Sequence, residues 1–334
     1  MKAPEFWGKR PDKPGWQAYL LAPLSWIVAA ASRRRINRAA TYKPQVPVVC
    51  IGNINVGGTG KTPTVIALAQ RLAETGNTPH IVSRGYGGSI AGPVRVNERL
   101  HTAADVGDEP LLLSAFAPTW VSRDRAAGVR EAEKNGAGVI LLDDGFQNPS
   151  VPKDLSIIVV NAGYGFGNAR VMPAGPLRET LADGLVRADV LLSIGPDLAQ
   201  RGFLGIWGEK IECPHVSGDL VPLATGMDWE GLNVLAFAGI GHPEKFFQTL
   251  KNLGAIVVQA KSLDDHQPLT TGLLKRLETE ADRLGAQLVT TEKDATRLPA
   301  DYRQKVLTLP VRLQLNGWSA LDAALERLTA RKPD

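Results

Sequence analysis

From residue 46 onward, short apolar runs alternate with longer stretches in which apolar residues recur every three or four positions. That alternation is the mark of βαβ units, parallel strands joined by crossover helices. It predicts strands over Val46–Gly52, Pro79–Ser83, Thr119–Ser122, Gly138–Leu142, Leu155–Asn161 and Ala188–Ile194. Helices are expected over Lys61–Thr75, Glu109–Phe116, Arg125–Asn135 and Arg178–Arg187. A second series adds strands Asn233–Ala238, Ala255–Ala260, Gln287–Thr291 and Lys305–Leu309, with helices Pro243–Leu253, Thr270–Leu284 and Trp318–Leu328. Between the two series, residues 196–230 are rich in Gly and Pro and weakly patterned. The chain therefore divides into an N-terminal segment (1–43), a core (44–200), a linker (201–228) and a smaller C-terminal α/β domain (229–334) that closes over the site.

The N-terminal segment has its own pattern. Trp16 to Ala31 is apolar apart from Gln17, Pro23 and Ser25. As a helix it would span roughly 24 Å, short of the ~30 Å hydrocarbon core of a bilayer. Pro23 is expected to kink it. Trp16, Tyr19 and Trp26 suit the interfacial depth of a membrane, and Arg33–Arg35 suit anionic headgroups. The segment reads as a monotopic anchor lying in the membrane surface. Two other readings compete: a helix packed on the protein's own core, and a signal peptide ending at Ala29–Ala31. Three arginines directly after such a cleavage site oppose export.

Composition adds three exclusions. Hydrophobic residues at 44% and charged residues at 22% place the 334-residue chain among globular proteins. Two cysteines, Cys50 and Cys213, cannot build a disulfide framework and show no zinc spacing, which points to a reducing compartment. Residues 1–43 hold nine basic and two acidic side chains, more than the whole net charge of +4. The basic balance therefore indicates no nucleic-acid surface elsewhere, and no obligatory protein partner is expected.

The chemistry begins at Val48–Pro63, VVCIGNINVGGTGKTP. A buried strand runs into a glycine-rich turn, and Lys61-Thr62 open a helix. Asn55, Val56, Gly57, Gly58, Thr59, Gly60, Lys61 and Thr62 form the expected ATP-binding loop, whose backbone amides converge on phosphate at a helix N-terminus. Lys61 reaches the β/γ-phosphates and the Thr62 hydroxyl ligates Mg²⁺. Asn55 stands where the P-loop pattern has its first glycine, and it also tolerates a left-handed conformation. Pro63 excludes the dinucleotide fingerprint. The second P-loop element is an aspartate at a strand end, and Val139–Gln147 supplies two metal candidates, Asp143 and Asp144.

Phosphoryl transfer to a hydroxyl also needs a base within hydrogen-bond reach of the acceptor. Gly107-Asp108-Glu109-Pro110 and Asp264-Asp265-His266-Gln267 offer carboxylates and an imidazole, though helix capping explains the first equally well. Closure of the second domain would bring His266 to Asp108, a pairing that spacing alone does not derive. Arg84, Arg123 and Arg178 could each clamp a phosphate, with ordinary surface arginines as the competing reading. The aperiodic stretch Gly163–Leu177 has the length of a lid or binding loop.

Nine motifs in order complete the picture: GNINVGGTGKTP (52–63), SRGYGG (83–88), VGDEP (106–110), SRDR (122–125), LLDDGFQ (141–147), PAGPLRE (173–179), AFAGIGHPEKFF (236–247), DDHQ (264–267) and TTEKDA (290–295). Together they resemble the tetraacyldisaccharide 4'-kinase family, the lipid A 4'-kinases of Gram-negative bacteria. The resemblance implies a P-loop NTPase-like α/β fold and transfer of the ATP γ-phosphate to the 4'-hydroxyl of a tetraacyldisaccharide 1-phosphate. It places the reaction at the cytoplasmic face of the inner membrane, met by the N-terminal helix. Carried over residue by residue, it assigns the catalytic pair to Asp108 and His266, beside Lys61. Asp143 and Asp144 take the twin-aspartate role, and Tyr86 and Arg178 contact the lipid substrate. The sequence departs once, with Gln267 where the family often shows a second histidine. A cytosolic small-molecule P-loop kinase and a membrane-positioning nucleotide-switch ATPase are the rival readings.

Overall fold

The computed structural model describes residues 3–329. Residues 1–2 and 330–334, the extremities of the expected N- and C-terminal units, lie outside the described residues. The strands of the first series are β1 (Val48–Gly52), β2 (Pro79–Ser83), β3 (Val94–Arg95), β4 (Thr119–Val121), β5 (Val139–Asp143), β6 (Leu155–Asn161), β7 (Val190–Ile194) and β8 (His215–Pro222). Those of the second are β9 (Asn233–Ala238), β10 (Ile256–Ser262), β11 (Gln287–Thr291) and β12 (Val306–Leu309), with β13 (Val311–Leu315) last. Among the described residues they form two sheets, ordered β13-β8-β7-β6-β1-β5-β2-β4-β3 and β10-β9-β11-β12. The larger is parallel from β8 to β4 and antiparallel only where β13 and β3 close its edges. The smaller is parallel throughout.

β1 shows why. All five of its residues are buried, as expected of a strand covered on both faces. Alternation sends Val49 and Ile51 to one apolar cluster and Val48 and Cys50 to the other. Burial, outweighing the nearby Lys153 charge, raises the Cys50 thiol to about 12, so it is an inert core side chain.

Helices α1 (Trp16–Leu20) and α2 (Ala22–Ile36) come first. Pro23 does not kink one long helix; it occupies the first turn of α2, where its missing N–H costs nothing. α3 (Lys61–Glu74) follows β1, and α4 (Ala103–Val106) leads through Gly107 into α5 (Asp108–Leu113). Then come α6 (Arg125–Lys134), α7 (Leu181–Val186), α8 (Asp197–Trp207), α9 (Pro243–Asn252), α10 (Thr271–Leu284), α11 (Glu292–Ala295), α12 (Ala300–Arg303) and α13 (Ser319–Thr329). α7 begins later than expected because the Thr180 hydroxyl caps it, accepting from the Asp183 amide at 3.2 Å.

The expected division of the chain needs two corrections. Residues 201–228 are no linker: they hold the end of α8 and all of β8, which pairs in parallel with β7. Nor does the second lobe run to the C-terminus. After β12 the chain crosses back, β13 pairs antiparallel with β8, and Leu321, Ala324, Leu325 and Leu328 of α13 join the core of the larger sheet. Asp322 receives two hydrogen bonds from Arg71 of α3, at 2.9 and 2.6 Å. A chain that returns to an earlier layer changes partners without changing composition, so the pattern carries no sign of it.

Candidate functional site

β1 delivers the glycine turn to its carboxyl end, where ligands of open α/β sheets bind. Gly57 (φ 106°) and Gly60 (φ 98°) hold backbone conformations that disfavour side chains. A Cβ at Gly60 would also stand 2.6 Å from Ile194 Cδ1, whereas one at Gly57 or Gly58 would meet nothing within 4 Å. The hollow of the loop is open and its base is packed tight. The loop is braced from within by Asn53, whose Nδ2 donates to the Gly57 carbonyl at 3.3 Å and to Thr59 Oγ1 at 3.2 Å.

Asn55 closes the loop differently from the expectation. Its φ is not positive; it bridges to Leu177, and its Nδ2 donates to the Gly165 carbonyl at 3.1 Å. The neighbouring Val56 amide donates to Pro176 at 2.8 Å. The aperiodic stretch 163–177 is thus the outer wall of the phosphate loop. An extended residue pinned to that wall replaces the usual first glycine.

Lys61 opens α3, with its Nζ 3.7 Å from Asp144 Oδ1, and half-buried Thr62 follows it. The twin aspartates at the end of β5 point to different tasks. Asp144 takes φ 53° and accepts from Arg178 at 2.9 and 3.2 Å. Burial alone would raise its carboxyl, but Lys61 and Arg178 outweigh that and hold it below the ordinary range. Asp143 is buried; its Oδ2 accepts from Ser83 at 2.8 Å, and its Oδ1 is buried without a partner. Burial, then the nearby negative charges of Glu109 and Asp144, push Asp143 up to about 6.

Such an orphaned buried oxygen is what a hard cation would complete. Among the described residues no group of three or more His, Cys, Asp or Glu side chains could hold a metal. A cation here would therefore rest on Asp143 and Thr62 together with phosphate and water oxygens, the arrangement Mg²⁺ prefers.

The other half of the site lies where the lobes meet. Asp108, 4% exposed at the start of α5, faces His266 from the loop after β10, with Oδ2 and Nδ1 2.9 Å apart. Burial would raise Asp108, but the His266 hydrogen bond, Lys293 and Arg297 together lower it. The bond to Asp108 raises His266 against the opposing effects of burial and Lys293. His266 itself sits at φ 59°, an uncommon backbone state for a residue with a side chain. The Tyr86 ring lies 5.6 Å from the imidazole, and Tyr86 is 71% exposed.

The remaining candidates divide. Arg178 is within the site through Asp144 and Gln147. Arg84, just past the end of β2, is exposed. Arg123 is spent on its own neighbourhood, donating to the Ser89 carbonyl at 3.3 Å. Buried Arg125 braces β5 instead, donating to the Asp143 carbonyl at 2.7 Å. Gln267, in place of a second histidine, closes its own turn by accepting from the Asp264 amide at 3.0 Å. Sequence reasoning overlooked Lys293, which pairs with Glu109 at 3.1 Å, and Arg297, 3.9 Å from Asp108. Both follow the end of β11; the TTEKDA segment (290–295), which contains Lys293, was the available signal, and Arg297 lies just beyond it.

Residues 17–330 match the sequence family described as tetraacyldisaccharide-1-P 4'-kinase, LpxK. The chain belongs to this family. Tetraacyldisaccharide 4'-kinase of Dinoroseobacter shibae is 60% identical over 98% of each chain, and that of Jannaschia sp. is 57% identical over 99% of this chain and 100% of its own. The crystal structure of an "apo" form of LpxK from Aquifex aeolicus in complex with ATP superimposes with a TM-score of 0.75 at 26% identity, covering 93% of this chain and 99% of that one. As a member of the family the chain is a phosphotransferase acting on a hydroxyl group, with the α/β fold that the alternation of strands and helices predicted.

Proposed function

We propose that this chain transfers the γ-phosphate of ATP to the 4'-hydroxyl of a tetraacyldisaccharide 1-phosphate, the step its family name describes. The observation that carries the residue assignment is the 2.9 Å contact between Asp108 and His266 across the two lobes, beside an open phosphate loop. ATP lies on residues 55–62, its phosphates receiving the amides of Gly57–Thr62 and the Lys61 ammonium. Asp143 and Thr62 would hold Mg²⁺, which when bound neutralises charge on the phosphates. Asp144, paired with Lys61 and Arg178, holds both cations at the phosphate end of the cleft. Asp108 accepts the proton of the sugar hydroxyl while His266 orients and polarises its carboxylate. Tyr86, Arg84 and Arg178 line the approach of the lipid. The role of Arg123 is indirect, through the loop carbonyls it binds.

The same reading places the enzyme on the cytoplasmic face of the inner membrane. Trp16, Tyr19, Leu20, Leu24, Trp26 and Ile27 are all exposed on α1 and α2, and Arg34 and Arg35 are exposed at the end of α2. The opposite face is docked: the Ser25 hydroxyl donates to the Val171 carbonyl at 2.7 Å and accepts from the Ala174 amide at 3.0 Å. Anchor and core helix are therefore two faces of one element, and the docked face ties it to the wall of the phosphate loop. Arg33, itself exposed, forms a bidentate pair with Asp183 at the start of α7. Among the described residues no helix is long and apolar enough to cross a membrane, which fits an element lying at the interface.

Mass spectrometry of a tetraacyldisaccharide 1-phosphate incubated with ATP, Mg²⁺ and the protein tests the reaction. Stoichiometric gain of one phosphate on the lipid supports it; acceptor-independent release of inorganic phosphate favours the nucleotide-switch reading. Flotation with anionic liposomes, with and without residues 1–40, tests the anchor. Equal recovery of both forms removes it.

A further inference from the structure

Beside the Asp108–His266 pair, Lys293 touches both lobes and has no role in the mechanism above. The corner that presents it is built rigidly. Asp294 is fully buried, accepts from the Gly239 amide at 3.1 Å and from the Thr291 hydroxyl at 2.7 Å, and is paired with Arg297. Its own amide donates back to the Thr291 hydroxyl at 3.2 Å, which caps α11. Lys293 leaves this corner toward α5, reaching Glu109 at 3.1 Å, and its Nζ stands 3.5 Å from His266 Nε2.

We propose that Lys293 is a positioning residue for His266: its ammonium group keeps the imidazole proton on Nδ1, aimed at Asp108, and ties that arrangement to the first lobe through Glu109. The proposal rests on the Asp108–His266 reading above. A lysine ammonium can only donate, so the ring nitrogen facing it must accept. With Nε2 committed as an acceptor, the ring proton belongs on Nδ1, which donates to Asp108 Oδ2.

Four groups face the ring. Asp108 comes from α5, Asp265 from the same loop, Lys293 from α11 and the Tyr86 ring from the loop after β2; Arg297 stands behind Asp108. Asp265 Oδ1 lies 3.8 Å from Nε2 and, left alone with it, would draw a second proton onto the ring. Lys293 lies 3.9 Å from that carboxylate and offsets it. Burial would lower the lysine, but Glu109, Asp108 and Asp265 outweigh it and raise it, so the donor stays charged. A neutral ring polarises Asp108 while leaving it more basic than an imidazolium would.

The test uses the full chain, labelled with ¹⁵N at histidine, with lipid acceptor and ATP. Lys293→Met should move the His266 nitrogen signals away from the Nδ1–H pattern and shift the acidic limb of the kcat profile to higher pH. It should lower kcat about tenfold, a part of the 10²–10⁴-fold that a positioned base supplies, with KM for ATP unchanged. Lys293→Arg should restore most of the rate. In a His266→Ala background, Lys293→Met should have no further effect. Unmoved nitrogen signals and an unmoved pH limb, or the same loss of rate with and without His266, overturn this role alone. If His266→Ala itself leaves kcat unchanged, both this role and the base assignment fall.

Discussion

Gly57–Thr62 and Asp143–Asp144 lie at the ends of two neighbouring parallel strands, β1 and β5, whose register pairs Ile51 with Asp143. Asp108 and His266 stand 158 positions apart and are brought together by different sheets. The phosphate half is therefore held by backbone: glycine conformations, a helix start and strand register. The acceptor half is held by side chains across a seam, where Lys293–Glu109, His266–Asp108 and Arg312–Glu292 are among the ties. The first half should fail abruptly and independently of how the lobes sit. The second should fail by degrees and with pH.

The largest effect is expected in the phosphate half. Lys61→Ala should cost about 10²–10³-fold or more in kcat, as loss of a preorganised charge at the transferring group does, measured by phosphate incorporation into the lipid. A rate near that of the unaltered protein would break the comparison at once. Next comes His266→Ala in the acceptor half, expected to lower kcat about 10²-fold while ATP binding, followed by calorimetry, stays intact.

The seam also makes a statement about pH. Asp108 is held below its ordinary value of 3.8, so its contribution is present above that value and lost as pH falls through the lower folded one. His266 is raised above 6.5, so its contribution is complete below 6.5 and lost as pH rises through the higher folded one. The difference in melting temperature between the unaltered protein and His266→Ala should thus be widest from about pH 4 to 6.5 and shrink on either side. A difference that stays flat with pH would mean the contact does not hold the lobes.

Gly60→Ala sharpens the contrast from the other side. It forces a side chain into φ 98° and against Ile194, and should cost about 1–3 kcal/mol in denaturant unfolding together with ATP affinity. The smallest effect belongs to Asp322→Ala, which removes the half-buried pair with Arg71. It should lower the melting temperature least of these changes and leave kcat alone, because Arg71 lies in the last turn of α3, at the end of the helix away from the phosphate loop.

The phosphate loop was legible because each requirement is met within the sixteen consecutive residues Val48–Pro63: strand, glycines, lysine and helix. Even there, Asn55 shows a limit. Its extended bridge to Leu177 depends on a loop more than a hundred residues away. Of the anchor, core-helix and signal-peptide readings of the N-terminal segment, buried Ser25 bears out a face packed on the protein itself, a contact with residues 171–174 that the local pattern does not carry, while Trp26 beside it stays exposed.

What the sequence determined alone were the properties carried by near neighbours: alternating strands and helices, the phosphate turn, the twin aspartates and the apolar character of residues 16–31. Those depend on backbone conformation and periodicity, which a few adjacent side chains dictate. Tertiary structure decided the return of 311–329 to the first lobe, the meeting of Asp108 with His266 and the placing of Lys293 behind it. Each of these is a contact between distant segments, and its free energy comes from burial and pairing that exist only once both partners are in place.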